Sequence, residues 1–499
     1  MRLAPLLAQS PRAYDLWQAS HALASKPRQP RPSLDPVIIA LVQTGIGTSE
    51  TLASCAREGI EAEVISDPAD LATLELHDNV WLLPIFPGDT LSDGAGDVYR
   101  TAAVEADAAT RIIYGDDDLV DSSGKKIKPH LKPDWNSELF RHFDYLTGAA
   151  SVRINTLDHL CRYGPDWPAA LIREALDASR GEGGSPTHLR HVLHHRRARP
   201  GPKLPLPRVE HSRPESSLPK VTVIVPTRNQ RALLSVCIDG LRNTRYRGEL
   251  EVIVVDNGSD EPSTLEYLAT LDKGFATLLR DDGPFNFAAL NNRAVEVATG
   301  DLLCFLNNDI EVIDPDWLMP LVAQAVRERV GAVGARLLYP NTRIQHAGVV
   351  IGIGGAAAHA HRSLTTDEEG YFHRHSLPQF VSAVTAACLV VQRNRFKAVA
   401  GFDAERFPVS FNDVDLCLRL ADRGWRTVYE PRATLIHHES VSRGFDRKGE
   451  GAARQARETA ALQERWRTKL AISADSPEVI DPYHHPGLSP LSERFVLRL

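Results

Sequence analysis

Three aspartates and a late histidine pair stand where they could do chemistry. Asp309 ends the run DLLCFLNND, whose apolar stretch at 302–306 stops abruptly at Asn307, Asn308 and Asp309. A buried strand that delivers a carboxylate at its C-terminal end is where an open α/β sheet places its ligand. One carboxylate with open coordination positions suits Mg2+ or Mn2+ carrying a diphosphate. Asp256 closes a second apolar run, EVIVV, and opens DNGSD, where it can accept a hydrogen bond from a nucleoside or simply cap the next helix. Asp413 follows a cap-like Asn412 at the head of the apolar helix pattern FNDVDLCLRL. It can cap that helix or act as general base for a hydroxyl; Asp415 points elsewhere on the helix. His437 and His438 follow an apolar run at 433–436, and one imidazole can complete a metal shell. His437 is favoured, although one residue of register error selects His438.

Short apolar strands alternating with helices must position these groups. Strands at 221–225 (VTVIV), 251–255, 276–279 and 302–306 alternate with helices at 232–242, 263–271 and 287–299. That rhythm implies right-handed βαβ crossovers and a parallel sheet. The polar loops at 227–229, 256–260 and 307–309 then share one sheet edge, where nucleotide sites form.

The chain has 499 residues, too many for one ordinary core. A Pro-rich stretch, RPGPKLPLPRVEHSRPESSLP at 199–219, reads as a stiff linker. The resulting division is 1–36, an N-terminal helical and linker segment; 37–200, a first α/β region; 201–218, the linker; 219–446, a second region; and 447–499, a helical tail. The first region partly echoes the second, with an acid-tipped strand at 111–120 ending in Asp116, Asp117 and Asp118 and a late pair His194–His195. The net charge of −7 and pI near 6.3 argue against nucleic acid as a partner, and the basic cluster at 190–199 reads as a solvated face. The six cysteines form no CxxC pair, so neither a zinc site nor a disulfide framework is indicated. No run reaches the length of a membrane span. The location expected is the cytoplasm, with peripheral association at the inner face of the membrane left open.

PTRNQ at 226–230, VVDNGSD at 254–260, FNFAALNNRAVEVATGD at 285–301, FLNNDIEVI at 305–313, AGFD at 400–403, FNDVDLCLRL at 411–420 and HHESVSRG at 437–444 together resemble glycosyltransferase family 2, in the flavour that builds O-antigen and other bacterial surface polysaccharides. The resemblance implies a GT-A fold, a nucleotide-diphosphate-sugar donor, a glycan or lipid-linked glycan acceptor, a divalent metal (Mg2+ or Mn2+) and inversion at the anomeric carbon. It assigns Thr227, Asp256, Asn292 and Asn308 to the nucleotide, Asp309 and His437 to the metal, and Asp413 to the catalytic base. Asn307 stands where the family's DXD motif carries its first Asp. The first region resembles the same family in part, at YGDDDLVDSSGKKIKPHLKPDW, but lacks the PTRN-like turn and the base motif. Its nearest match to the latter, Asp166-Trp167-Pro168, carries a proline that suits only a first helical turn. A degenerate, non-catalytic GT-A-like domain is expected there.

Two rival readings stand beside the transferase. A nucleotidyltransferase would need a basic, Gly-rich phosphate loop after the first strand, which PTRNQ does not supply. A nucleotide-sugar-binding scaffold without turnover fits the first region better than the second, which carries both Asp309 and Asp413.

Overall fold

The computed structural model describes residues 7–8, 10–21, 36–74, 76, 79–209, 218–271, 274–438, 449–470 and 481–499. Residues 210–217 of the expected linker and 439–444 of the late HHESVSRG motif lie outside this set. The chain builds two large sheets. The first contains β1 (Val37–Gln43), β2 (Glu61–Ile65), β3 (Val80–Ile85), β4 (Thr90–Leu91), β5 (Ile112–Val120), β6 (Lys126–His130), β7 (Ala150–Val152) and β8 (Thr187–Arg196). The second contains β9 (Val221–Thr227), β10 (Leu250–Asp256), β11 (Ala276–Arg280), β12 (Leu302–Leu306), β13 (Ile310–Val312), β14 (Val330–Leu338) and β15 (Ile344–His346). After a small hairpin, β16 (Val349–Ile351) with β17 (Ala357–His359), it is completed by β18 (Gln379–Val381), β19 (Cys388–Gln392) and β20 (Arg426–His437).

The second sheet runs β11-β10-β9-β12-β19-β14-β20-β13, with β15 on β14 and β18 on β20. The expected parallel arrangement holds from β11 to β12. Beyond it β19 enters antiparallel to both β12 and β14, which gives the mixed sheet of the GT-A pattern. β9 and β12 are buried along their whole length, as a strand covered by helices on both faces must be. Two apolar clusters fill those faces. Four of the six cysteines (Cys237, Cys304, Cys388 and Cys417) are buried there as free thiols, small hydrophobes as expected.

The first sheet repeats this plan. Its order, β2-β1-β3-β7-β5-β8-β4, superimposes on β10-β9-β12-β19-β14-β20-β13 with the same parallel or antiparallel sense at every pairing. Even the branch β6 on β5 matches β15 on β14. The duplication is therefore a matter of topology, and it corrects the sequence alignment of the two halves. The acid-tipped strand β5 is the counterpart of β14, not of the Asp309 strand. The counterpart of β12 is β3, and Asp89, just before β4, stands where Asp309 stands just before β13. Pro168 occupies the first turn of the helix Trp167–Gly181, the place a proline tolerates, while Asp166 is exposed.

The basic run 190–199 is a solvated face only in part, at Arg190, His191 and Arg197. Arg196 is buried against Asp89, Arg199 and Lys132 clasp Asp117, and Arg190 pairs with Asp134. The reason is the buried triplet Asp116–Asp118, whose charges need cations in an interior that cannot solvate them.

The tail is helical only in part. The helices Gly449–Arg465 and Arg467–Leu470 dock on the second sheet through Leu462 and Trp466, whereas 481–499 is irregular apart from a Leu488–Leu497 bridge. That last piece packs in one cluster with Tyr14 and Trp17 of the N-terminal helix Ala13–His21. The two sheets are joined by Asn136, whose amide clamps the backbone of Phe380 at both N–H and C=O, and by a buried Glu138–Arg327–Gln324–Glu430 network.

Candidate functional site

The loops after β9, β10 and β12 meet at one edge. Parallel register sets Asp256 opposite Thr227, so the two strands end level. Asn229 then ties the loops together: its side chain accepts from the N–H groups of Asp260 and Glu261, and its own N–H donates to Ser259. Both Asn229 and Gln230 adopt positive φ, a conformation that turns the chain sharply into the helix Arg231–Arg242. Beside this turn lies a cleft of about 440 Å³. Thr227, Asn307, Asn308 and Asp309 line its polar side, Phe285, Phe287 and Leu290 its apolar side, and Arg228 and Arg454 supply cations. Arg454 comes from the helix Gly449–Arg465, so the tail helix forms one wall.

Asp309 owes its setting to β13 and β20. Ile310 stands opposite His437 in that antiparallel pair, and the His438 N–H donates to the Asp309 carbonyl. The imidazole of His437 is thereby laid against Asp309, with Nε2 3.1 Å from Oδ1 and both residues largely buried. Its Nδ1 is 2.7 Å from Gln345 Oε1. His438 turns the other way and pairs with Glu311 at 2.8 Å. Asn308 donates to the Thr227 hydroxyl at 3.0 Å, linking the ends of β9 and β12.

Asp413 sits on the helix Asn412–Asp422. The cap position belongs to Phe411, at φ 60°, so Asp413 lies within the first turn, where its Oδ1 accepts the Val414 N–H at 2.8 Å. Its Oδ2 accepts the Ala386 N–H at 3.0 Å, and the next residue, Ala387, accepts from the Asn307 N–H. One short turn, 385–387, thus bridges Asp413 to the strand end that carries Asp309. Asp415 is fully buried and taken by Arg419 and Trp466, a purely structural use.

Four of the seven expected residues, Asp256, Asn292, Asp413 and His437, are not among those that line the cleft. Asn292 spends both ends of its amide on the backbone of Phe402, pinning the AGFD turn. Asp256 is buried, with Oδ1 accepting from the Ser259 N–H and Oδ2 paired with Arg280. Conversely, Gln345 and Arg454 were passed over by sequence reasoning. Nothing local marks them, since both reach the site through tertiary packing.

Residues 222–361 match the model of glycosyl transferase family 2. The chain carries a family 2 glycosyl transferase domain. The matched span takes in Thr227, Asp256, Asn308, Asp309 and Gln345; Asp413 and His437 lie beyond it. The chain is 36% identical over 417 residues to the O-antigen biosynthesis protein RfbC of Myxococcus xanthus, covering 76% of this chain and 31% of that protein. It is 35% identical over 463 residues to a protein of Sinorhizobium fredii, covering 82% of this chain and 48% of that one. The chain thus spans less than half the length of either relative. A pre-mycofactocin glycosyltransferase of Mycobacterium tuberculosis is 31% identical over 236 residues, 46% of this chain and 45% of that one. The mannosyltransferase PcManGT from Pyrobaculum calidifontis, solved with GDP-Man and Mn2+, covers 53% of this chain and 67% of its own at 20% identity and a TM-score of 0.37, too distant a likeness to argue from.

A second place invites comparison with this cleft. Asp116, His188 and His485 bring three ligand atoms within 4.8 Å of one another. His485 Nδ1, however, accepts the Gly487 N–H, so its proton belongs on Nε2, the atom that faces Asp116. His188 lies between Asp116 and Asp134; burial lowers its pKa, but the two carboxylates outweigh burial and raise it. The His485 Nε2–Asp116 Oδ2 contact, at 3.0 Å, ties 481–499 to the first sheet.

Proposed function

We propose that the second region is an inverting glycosyltransferase that moves a sugar from a nucleotide-diphosphate donor to a hydroxyl of a glycan or lipid-linked glycan acceptor in surface-polysaccharide synthesis. The observation that carries this is the contact of His437 with Asp309, a residue on the wall of a cleft, with Asp413 tied to the same strand end through Ala386 and Ala387.

The donor set suits a hard divalent cation, Mg2+ or Mn2+: one carboxylate oxygen and one imidazole nitrogen, with room left for diphosphate oxygens. Asp309 and His437 would hold it. When bound, such a cation offsets charge that develops on the departing diphosphate. The other roles belong to the chain. Thr227 and Asn308, bonded to each other, present hydroxyl and amide to the nucleotide end of the donor. Arg228 and Arg454 face the same cleft and add positive charge for its phosphates. Phe285, Phe287 and Leu290 form a dry wall that excludes water from the transferring sugar. Asp256, buried and committed to Ser259 and Arg280, acts as a positioning residue at the end of β10. Asn292 acts through Phe402, as a positioning residue.

Asp413 takes the proton from the acceptor hydroxyl while the oxygen attacks opposite the leaving diphosphate. A single carboxylate base with no partner nucleophile corresponds to direct displacement and inversion, as with inverting hydrolases. No helix among the described residues is long and apolar enough to cross a membrane. A lipid-linked acceptor is proposed to be met at the membrane surface, on the cytoplasmic side. The test is a screen of nucleotide sugars for metal-dependent, acceptor-stimulated release of nucleoside diphosphate. Release from one donor class supports the reading; release of pyrophosphate from nucleoside triphosphates instead would replace it with nucleotidyl transfer.

A further inference from the structure

His437 can offer Nε2 to a cation only if its proton sits on Nδ1, because a neutral imidazole carries one N–H and one lone pair. Two neighbours set that choice. Gln345 Oε1, which can only accept, lies 2.7 Å from Nδ1. Asn307 Nδ2, which can only donate, lies 3.3 Å from Nε2. Both contacts assign the same tautomer; Asp309 Oδ1, an acceptor 3.1 Å from the same Nε2, then shares no proton with it and needs a cation beside the lone pair.

Gln345 is itself held firmly. It is 1% exposed, on β15 between the fully buried Ile344 and His346. The β14–β15 ladder shifts register between Leu337 and Leu338, and Gln345 falls at that irregularity. Its carbonyl accepts from His359 Nδ1 at 3.0 Å. The opposing stretch of β20 is the one that ends in His437, since Leu337 and Leu338 pair with Leu435 and Ile436.

We infer that Gln345 is a positioning residue that fixes the ring and the tautomer of His437 for a divalent cation. The inference rests on the metal site proposed above. Carboxylates commonly do this work beside metal-bound histidines. A glutamine does it without adding negative charge. That restraint fits a site whose strand end reads Asn-Asn-Asp rather than three acids, and which must admit a diphosphate.

The test is Mn2+ alone, titrated into the full chain and followed by the loss of the free-ion EPR signal, with thermal unfolding run in parallel to confirm folding. Gln345→Leu, which cannot accept, should weaken Mn2+ binding by about 10–100-fold, the usual cost of losing an outer partner of a ligand. Gln345→Glu, which keeps an acceptor at the same reach, should bind at least as tightly as the parent. Parent-like binding in folded Gln345→Leu overturns the inference. So does a Gln345→Glu protein as weak as the leucine variant, and this second comparison decides the matter even if the leucine variant does not fold. Failure of the underlying metal site looks different: the unsubstituted chain would not bind Mn2+, or His437→Ala would bind it unchanged.

Discussion

His437 Nε2 lies 3.1 Å from Asp309 Oδ1, and the contact is made by strand register rather than by proximity in sequence. β13 begins one residue after Asp309 and pairs antiparallel with the end of β20, so Ile310 and His437 are opposed. A slip of one residue would turn the alternate side chain inward. His438 is that alternate, and it meets Glu311 instead.

This asymmetry predicts a clean contrast between the two histidines. His437→Ala should lower metal-dependent transfer on the order of 10²-fold or more, since a cation's charge stabilisation is worth several kcal/mol. His438→Ala removes only a partly exposed ion pair and should leave turnover within about twofold, as such pairs contribute roughly 0–1 kcal/mol. Steady-state rates across a Mn2+ titration check both. Equal losses in the two variants would contradict the assignment.

The tail helix should be an integral part of the second unit. Leu462 is fully buried in its core, and Trp466 donates to the buried Asp415 at 3.0 Å. Leu462→Ala should cost about 2–5 kcal/mol in denaturant unfolding. Since Glu458 on the same helix accepts from the Val409 and Ser410 N–H groups just before the Asp413 helix, transfer should fall with it. A change below about 0.5 kcal/mol, the scale of ordinary surface substitutions, would show that the helix is merely apposed.

The acids of the first region should matter for stability and not for turnover. Asp117 holds the fully buried Lys132 at 2.8 Å. Asp117→Asn leaves that ammonium without its charged partner and should destabilise by about 3–5 kcal/mol. Transfer per folded molecule should stay unchanged, measured against the folded fraction from circular dichroism. A specific loss of turnover in fully folded protein would give this region a catalytic part.

Stability should fall on acidification. Burial keeps His130, His194, His346 and His361 well below the ordinary imidazole pKa, and His484 down at about 3. The unfolded chain protonates all five near pH 6.5 while the folded chain does not, so stability drops as the pH falls below about 6.5. His188 works the other way: its raised pKa contributes fully below about 6.5, and that contribution is lost as the pH rises through the raised value. With His142, His191 and His375 lowered as well, eight rings stand against His188 and Asp89, whose carboxyl burial pushes up to about 6, and the balance gives a falling Tm from pH 7.5 to 5, readable by scanning calorimetry. A flat or rising Tm over that interval would contradict the burial of these rings.

Much of the donor side was legible in the chain because it is local. VTVIV, EVIVV and LLCFL are buried β-branched and apolar runs ending in polar loops, and β12 spans the expected 302–306. What was not legible depends on pairing between distant strands. The sequence favoured His437 over His438 but could not fix the register, because adjacent residues at the end of a strand differ only in the face they occupy. It matched Asp116–Asp118 to Asp309 on acid content, whereas strand order pairs Asp309 with the less conspicuous Asp89. Asn292 carries the right residue type for a nucleotide contact, yet its amide is committed to Phe402, a commitment that only the packed AGFD turn reveals.

The central claim, base-assisted inverting transfer, is tested most directly at Asp413. Asparagine there keeps one acceptor oxygen for the Ala386 N–H and gives up the one that takes the Val414 N–H, so the helix start is weakened while the fold and the donor cleft should persist. With the donor identified by the screen above, acceptor-dependent release of nucleoside diphosphate should drop by about 10²–10⁴-fold in Asp413→Asn, the range lost with a general base, while the same diphosphate binds as to the parent. Undiminished transfer by a folded Asp413→Asn protein would contradict the account.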